Sequence, residues 1–416
     1  MSHATFTSEI EDWLIGHALG DPDITTMFET LCERLHGLGI PLDRASLSWP
    51  TLHPLFRSEM VFWRRGTGTQ FMQFIHATAR EKAWMTSPLH HVMAHGIPHL
   101  RRHLTGAGAL TDFPVLGEFR EQGYTDYLAT GSAFRIAEVN EFEGGRTGVV
   151  ASWATRRESG FTDDDLDALK RIQTVFAVAC RAAVQKRVMA NLANAYLGHT
   201  AGRRVLAGDI RRGDGERIPA VVWYSDLRGS TRLSNSMDPD SYLALLNRYF
   251  ECTAAPVIEH GGEILNFIGD GVLAIFPVDG ECGAAAARAE AAVREARRRR
   301  TEAVAAGTPG GAPLSFGIGL AVGEVMFGNI GVPSRLAFSG IGQIVNTVQR
   351  IETATKTVGL TVLSDAGFAA SAPGEWRSAG EIEIRDFGRR IEVFTLPDEA
   401  AEATLAPAAL AGKRAG

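Results

Sequence analysis

The sequence has few cysteines and no long hydrophobic run. Its 416 residues include four cysteines, which lie far apart and form no CxxC pair. This scarcity disfavours a disulfide framework or a cysteine-based zinc site and favours a reducing, cytoplasmic environment. No stretch approaches the roughly 18 to 20 apolar residues of a membrane-spanning helix, and the N-terminus lacks the basic-then-apolar order of a secretory signal. We therefore expect no membrane insertion.

The chain also has no surplus of positive charge. It contains 42 Lys and Arg against 48 Asp and Glu, which gives a formal net charge of -6. Nucleic-acid binding needs basic residues to neutralise phosphates, so we expect no nucleic-acid partner. The length suffices for two domains that each bury a core.

The N-terminal part has the pattern of a small mixed domain that leads into a long helix. Two helices reach about residue 39, and strand-like segments follow at 45–49, 60–63 and 148–153. Thr162 and Asp165 form a helix-start signal, and the helical pattern continues to about Leu197. We predict a domain at 1–160 and a helical connector at 161–216, which we expect to pair with its copy in a dimer.

The C-terminal part alternates strands and helices, which is typical of an α/β (α+β) domain. We place this domain at 217–397 and expect the Ala-rich tail, 398–416, to be disordered. Within the domain, Asp226 directly follows an apolar strand, and Asp270 lies in the hairpin turn Gly269-Asp270-Gly271.

These two carboxylates, 44 residues apart in sequence, can meet if their strands are neighbours. Mg²⁺ selects carboxylate oxygens and completes its shell with water and substrate phosphates. The turn Gly229-Ser230-Thr231 precedes a helix and offers backbone N–H groups to phosphate oxygens. Asp in a Gly-flanked turn also occurs for conformational reasons alone, so each aspartate taken singly is weak support.

A later helix adds an amide and a guanidinium. Asn346 and Arg350 are four residues apart, so they point to the same side of that helix. An amide near a ribose and a guanidinium near developing phosphoryl charge suit phosphoryl transfer. On most helices such residues are simply solvated.

Four segments, taken in order, resemble the catalytic domain of class III adenylate and guanylate cyclases. The segments are WYSDLRGST, GGEILNFIGDGVLAIF, GIGLAVGEVMFGNIG and FSGIGQIVNTVQRIE. The resemblance implies a ferredoxin-like core and a head-to-tail homodimer with two active sites. It also implies two Mg²⁺ or Mn²⁺ ions per site, held by Asp226, Asp270 and the carbonyl of Leu227.

The resemblance further assigns roles to the remaining candidates. Asn346 matches the residue that orients the ribose, and Arg350 matches the transition-state arginine, both supplied by the partner protomer. Arg385, with Arg389 close behind, is the candidate for contacting the triphosphate. The two base-reading positions hold Asn266 and Ser339, where adenylate cyclases usually have lysine and either aspartate or threonine.

The resemblance leaves the choice of base open, because the amide of Asn266 can face either adenine or guanine. Guanylate cyclases usually carry glutamate and cysteine at these positions, and this chain has neither. We predict conversion of ATP to 3′,5′-cyclic AMP and pyrophosphate. The alternatives are a guanylate or other nucleotide cyclase, and a weakly active, nucleotide-binding regulator.

The N-terminal layout resembles a GAF-type sensory domain, so we expect an unknown regulatory ligand there. His91, His95, His99 and His103 recur every four residues, which is also compatible with a haem or metal site. Gly96 and Pro98 interrupt any continuous helix through them, so a polar surface is favoured.

Overall fold

The computed structural model describes residues 3–76, 80–135, 147–384 and 389–399. The chain divides into two compact units, Met1–Ala195 and Tyr196–Gly416, and each is described by itself. The division falls inside the segment 161–216. The domain boundaries and roles predicted for 1–160, 161–216, 217–397 and 398–416 stay predictions.

The N-terminal unit is built on one antiparallel sheet. Its strands are β1 (Arg44–Pro50), β2 (Phe56–Arg64), β3 (Gly68–Ile75), β4 (His99–His103), β5 (Asp126–Ala133) and β6 (Gly148–Thr155). They lie in the order β3-β2-β1-β6-β5-β4, and every neighbouring pair is antiparallel. The helices are α1 (His3–Leu19), α2 (Ile24–Gly37), α3 (Arg80–Met85), α4 (Pro88–His95), α5 (Pro114–Glu121) and α6 (Asp163–Leu197).

Alternation along the central strand β1 separates the two faces of this sheet. Ala45, Leu47 and Trp49 belong to a buried core that also contains residues of α1, α2 and α6. Successive side chains of a strand point to opposite faces, so Ser46 and Ser48 face the other layer. Residues of α3, α4 and α5 line a cavity with these two serines.

Helix α6 has the capped start and the length that the sequence predicts. Thr162 Oγ1 accepts a hydrogen bond from the Asp165 amide at 3.2 Å, and Asp165 Oδ2 accepts one from the Thr162 amide at 2.8 Å. This reciprocal pair is a capping box. The helix continues to Leu197, so the predicted long helix is confirmed. Its pairing with a second copy, and the resemblance of this unit to GAF domains, stay predictions.

The regularly spaced histidines lie on two different elements. His91 and His95 are on α4, whereas His99 and His103 are on β4. Gly96 ends α4 in the left-handed region, at φ 64°. The four side chains therefore share no continuous helical face.

The C-terminal unit has a mixed eight-stranded sheet. Its strands are β7 (Gly215–Leu227), β8 (Glu263–Ile268), β9 (Gly271–Pro277), β10 (Phe316–Val332), β11 (Arg335–Ile341), β12 (Val362–Asp365), β13 (Arg377–Ile384) and β14 (Arg389–Thr395). The main order is β13-β14-β12-β10-β7-β9-β8, and β11 pairs with β10. The helices are α7 (His199–Leu206), α8 (Ser230–Ser236), α9 (Pro239–Glu259), α10 (Cys282–Ala306), α11 (Gln343–Val358) and α12 (Ala366–Ser371).

Strand β7 is buried on both faces. Val221 and Trp223 belong to the core that contains α9 and α10, whereas Ala220 and Val222 belong to the core that contains α11. Helices thus cover both faces of the sheet, which explains why this strand is an apolar run and not an alternating one. The predicted mixed α/β class is confirmed.

The described part of this unit extends past residue 397, the predicted end of the domain. Glu399 is buried, and its Oε2 accepts hydrogen bonds from the amides of Thr361 at 2.8 Å and Val362 at 3.1 Å. Arg297 pairs with Asp398 at 2.7 Å. Residues 398 and 399 of the predicted tail therefore contact this unit. The rest of that tail, 400–416, lies outside the described residues.

No helix in the described part of the chain is both long and apolar enough to cross a membrane.

Candidate active site

The two predicted metal-binding aspartates lie at neighbouring strand ends. Ser225 of β7 pairs with Val272 of β9, so Asp226 lies at the level of Gly271, next to Asp270 in the turn. A side chain at position 271 would overlap the hydroxyl of Tyr224. Glycine at this position therefore lets the β8–β9 turn approach β7 closely.

Asp226 and Asp270 place two carboxylates close together in a partly buried environment. Burial raises the pKa of the Asp226 carboxyl, and the neighbouring Asp270 raises it further. Oδ2 of Asp270 is buried and has no hydrogen-bond partner among the described residues. Such an oxygen costs free energy unless a donor or cation meets it. The pair thus fits a divalent cation.

A lysine that was not predicted from the sequence forms an ion pair with Asp226. Nζ of Lys356, on α11, lies 2.8 Å from Oδ2 of Asp226. Burial alone lowers the pKa of Lys356, but the hydrogen bond to Asp226 and the charge of Glu352 outweigh it and raise the pKa. This cation partly balances the negative charge of the site.

Glu352 is a buried carboxylate on the inner side of the same helix. Its exposure is 2%, and Oε1 lies 3.8 Å from Nζ of Lys356 without a hydrogen bond. Burial raises its pKa to about 7, with a further rise from Asp226 that Lys356 opposes. The carboxyl packs on Gly317, where a side chain would overlap it.

A groove of about 440 Å³ brings several predicted residues together in one chain. Asp226 lines it from β7, and Asn346 and Arg350 line it from α11. Both α11 residues are exposed, as expected for side chains that act on a ligand or on a second chain. The other lining residues are Tyr224, Gln349, Glu352 and Thr353.

The predicted phosphate turn lies directly after Asp226. Gly229 adopts φ 73°, a conformation that glycine reaches at no steric cost, and it precedes α8. Ser230 and Thr231 form the first turn of that short helix. Leu227, whose carbonyl is the third predicted metal ligand, ends β7 with a buried side chain.

The two predicted base-reading residues lie on neighbouring elements but do not line the groove. Asn266 is exposed on β8, and Ser339 is buried on β11. The adjacent residues Leu265 and Gly340 are in close contact, since a side chain at 340 would overlap Leu265. Arg385 lies outside the described residues, and the Arg389 side chain is not described.

Three residues of this site were not predicted from the sequence: Tyr224, Glu352 and Lys356. Tyr224 directly precedes the Ser225–Asp226 strand end, and burial, followed by the charges of Asp226, Glu352 and Asp270, raises its pKa to about 12. Lys356 lies ten residues after Asn346, which at about 100° per residue places it roughly 80° away around the helix axis. The spacing of Asn346 and Arg350 therefore does not identify it.

The donor set suits a metal that borrows ligands from its substrate. Within the described ranges no group of three or more His, Cys, Asp or Glu side chains is arranged to hold a metal. Two carboxylates are nevertheless what Mg²⁺ commonly takes from a protein when phosphates and water supply the other ligands. Asp226, Asp270 and the Leu227 carbonyl are the groups that would hold it.

Comparisons with known proteins match part of the chain. A protein of Anabaena cylindrica named adenylate cyclase is 34% identical over 146 residues, which cover 34% of this chain and 28% of that protein. The uncharacterised protein Rv1319c of Mycobacterium tuberculosis is 32% identical over 157 residues, covering 37% of this chain and 28% of that protein. The chain thus spans about a third or less of the length of these relatives.

Solved cyclase structures also match part of the chain. The guanylyl cyclase Cya2 is 29% identical, with 43% of this chain and 92% of that chain covered and a TM-score of 0.37. The adenylyl cyclase CyaB from P. aeruginosa is 25% identical, with 44% and 94% covered and a TM-score of 0.37. The family model of the adenylate and guanylate cyclase catalytic domain matches residues 216–396, so the resemblance predicted for this part of the chain is confirmed.

Proposed function

We propose that this protein converts ATP to 3′,5′-cyclic AMP and pyrophosphate. The 3′-oxygen of the ribose forms a bond to the α-phosphorus, the bond from that phosphorus to the pyrophosphate oxygen breaks, and the 3′-hydroxyl proton is released. The reaction is an intramolecular displacement at phosphorus, so catalysis rests on positioning and on charge stabilisation.

The juxtaposition of Asp226 and Asp270 carries the proposal. Two confined carboxylates, one with an unpartnered buried oxygen, match the need for divalent cations at the phosphates. Two Mg²⁺ or Mn²⁺ ions bound there supply charge that acidifies the 3′-hydroxyl and neutralises the departing pyrophosphate. Lys356 limits the negative charge of the site before nucleotide binds.

The other residues would orient the nucleotide and stabilise its charge. We assign the ribose to Asn346 and the charge that develops on the α-phosphate to Arg350. The amides of the Gly229-Ser230-Thr231 turn would bind phosphate oxygens, and Arg385 the triphosphate. In a head-to-tail homodimer, Asn346 and Arg350 of one chain would serve Asp226 and Asp270 of the other.

The base is assigned to Asn266 and Ser339, on neighbouring strands. An Asn266 amide donor can meet the acceptor N1 of adenine, which favours ATP. The Anabaena relative named adenylate cyclase supports this choice. GTP is the second candidate, because the matching family model includes guanylate cyclases and because the amide also offers an acceptor.

We further propose that the N-terminal unit regulates this activity in response to a ligand.

The four unpaired cysteines support a reducing, cytoplasmic setting. A weakly active, nucleotide-binding regulator is the competing function, and Asn266 in place of the usual lysine is the observation that favours it.

A product assay tests the reaction. The purified chain is incubated with ATP, GTP, CTP or UTP and either Mg²⁺ or Mn²⁺, and the products are resolved by chromatography. We expect cyclic AMP and pyrophosphate in equal amounts. Asp270→Asn should reduce turnover by at least about a hundredfold, and Asp240→Asn, an exposed carboxylate in the first turn of α9, should not. Nucleotide binding without any cyclic product would favour the regulator.

A further inference from the structure

The N-terminal unit contains a cavity of about 460 Å³ between its sheet and the helices α3, α4 and α5. Most of its wall is apolar, with Met60, Phe62, Phe74, Trp84 and Val150 among the lining side chains. This volume lies in the range of cavities that hold small organic molecules. A mainly apolar body of that size would be well accommodated.

Strand β1 contributes a polar strip to the cavity. Arg44, Ser46 and Ser48 alternate with core residues, so all three face the cavity from the middle of the sheet. Ser46 and Ser152 are 3% and 5% exposed, and their hydroxyls are 2.6 Å apart. One hydroxyl donates to the other, which leaves a second O–H donor for a polar group in the cavity.

Arg44 is the main charged group of this strip. Its guanidinium carbon lies 5.0 Å from the ring centre of Phe62 and 4.9 Å from that of Phe119. Nε is buried and has no hydrogen-bond partner, and no ion pair joins Arg44 to a carboxylate in the described part of the chain. Across the β1–β2 register it faces Arg64, which adds repulsion.

The charges around the cavity favour an anion with a single charge. Among the described residues, the charged side chains of the lining are Arg44, Arg57 and the exposed Glu118, with a formal net charge of +1. Burial lowers the pKa of Arg44, and the Arg64 charge adds to this effect. An unpaired, partly buried guanidinium is costly, and a carboxylate or sulfonate would meet its planar N–H edge.

We propose that this cavity binds a small amphipathic monoanion, with an aromatic or aliphatic body against the apolar wall and an acidic group on Arg44. A nucleoside triphosphate does not fit this site, because three or four negative charges would face a net charge of only +1. The cavity and the proposed nucleotide site are lined by different residues. The proposal therefore does not depend on the proposed cyclase activity.

Two fluorescent probes that share an aromatic body test the proposal on the full chain. One is 1-anilinonaphthalene-8-sulfonate, an anion, and the other is the neutral N-phenyl-1-naphthylamine. Arg44→Met should weaken binding of the anion by at least about tenfold and that of the neutral probe by less than about threefold. Arg44→Gln gives the same comparison if the methionine variant does not fold.

Two further variants locate the probes. Arg64→Met, which removes the facing arginine outside the cavity lining, should change either affinity by less than about threefold. Met60→Trp adds volume inside the cavity and should weaken both probes. Equal effects of Arg44→Met on the two probes would overturn the anion assignment. Unchanged binding of both probes to Met60→Trp would show that they bind elsewhere and would overturn the site.

Discussion

Nζ of Lys356 lies 2.8 Å from Oδ2 of Asp226, one of the two carboxylates assigned to the metal ions. The ammonium group and a divalent cation compete for the same carboxylate, since both are attracted by its charge. We therefore expect the lysine to raise the metal concentration at which the proposed site fills.

Lys356→Met should lower the Mg²⁺ concentration that gives half-maximal activity by about threefold or more. The measurement is a Mg²⁺ titration of cyclic nucleotide formation at saturating nucleotide. Arg377→Met, which removes an exposed cation of the same unit, is the matched control and should leave the titration unchanged. A higher metal requirement in Lys356→Met would mean that the lysine supports metal binding and does not compete with it.

Glu352 should make the stability of the protein depend on pH. Burial raises its pKa to about 7 from the usual 4.5, so the folded state holds the proton more tightly than the unfolded chain. Below pH 4.5 the carboxyl is neutral in both states and leaves the free energy of unfolding unchanged. Between pH 4.5 and 7 it lowers the free energy of unfolding increasingly, and above pH 7 this effect is constant.

Glu352→Gln removes this titration, so its melting temperature relative to wild type should rise between pH 5 and pH 8. This rise corresponds to a difference of at most about 3 kcal/mol in the free energy of unfolding. Thermal unfolding without metal or nucleotide measures it, and Glu324→Gln, an exposed carboxylate on β10, is the control. The same difference from wild type at both pH values would contradict the raised pKa.

Asn266→Lys should shift the choice of base toward adenine. A pocket that pairs a purine edge with the wrong donor or acceptor leaves buried polar groups unpaired, and this discriminates strongly. We expect the ratio of kcat/KM for ATP to that for GTP to rise by about tenfold or more. Asn247→Lys makes the same change on an exposed position of α9 and should leave the ratio unaltered. An unaltered ratio in Asn266→Lys would remove this residue from the base pocket.

Local patterns predicted the elements that position the aspartates. The apolar run before Asp226 is a strand because it is buried on both faces, and the glycines around Asp270 mark the turn of the β8–β9 hairpin. Both signals depend on neighbouring residues in the sequence, so they can be read without knowing the fold.

The strand β11 and the long second half of β10 were not predicted, because glycines interrupt their hydrophobic pattern. At Gly328 a side chain would overlap the carbonyl of Asp214, so this glycine permits a close approach of two backbones. Glycine within a strand weakens the hydrophobic pattern from which a strand is predicted. The close backbone approach that it permits is visible only in the folded sheet.

The contact of Lys356 with Asp226 depends on how closely α11 packs on β10. A side chain at Gly319 would lie 2.5 Å from the carbonyl of Val348, so this glycine lets the helix lie directly on the strand. The two ends of the ion pair are 130 residues apart in sequence. Their proximity follows from tertiary packing, which periodicity alone does not contain.

Mixing Asp270→Ala with Arg350→Ala tests most directly whether two chains build each active site. Asp226 and Arg350 line one groove of a single chain, so a site within one chain is the alternative. Each variant alone should be inactive. After subunit exchange, half of the dimers are mixed and each has one intact site, so about a quarter of wild-type activity should return. A mixture that stays inactive, although exchange is demonstrated with two affinity tags, would contradict the shared site.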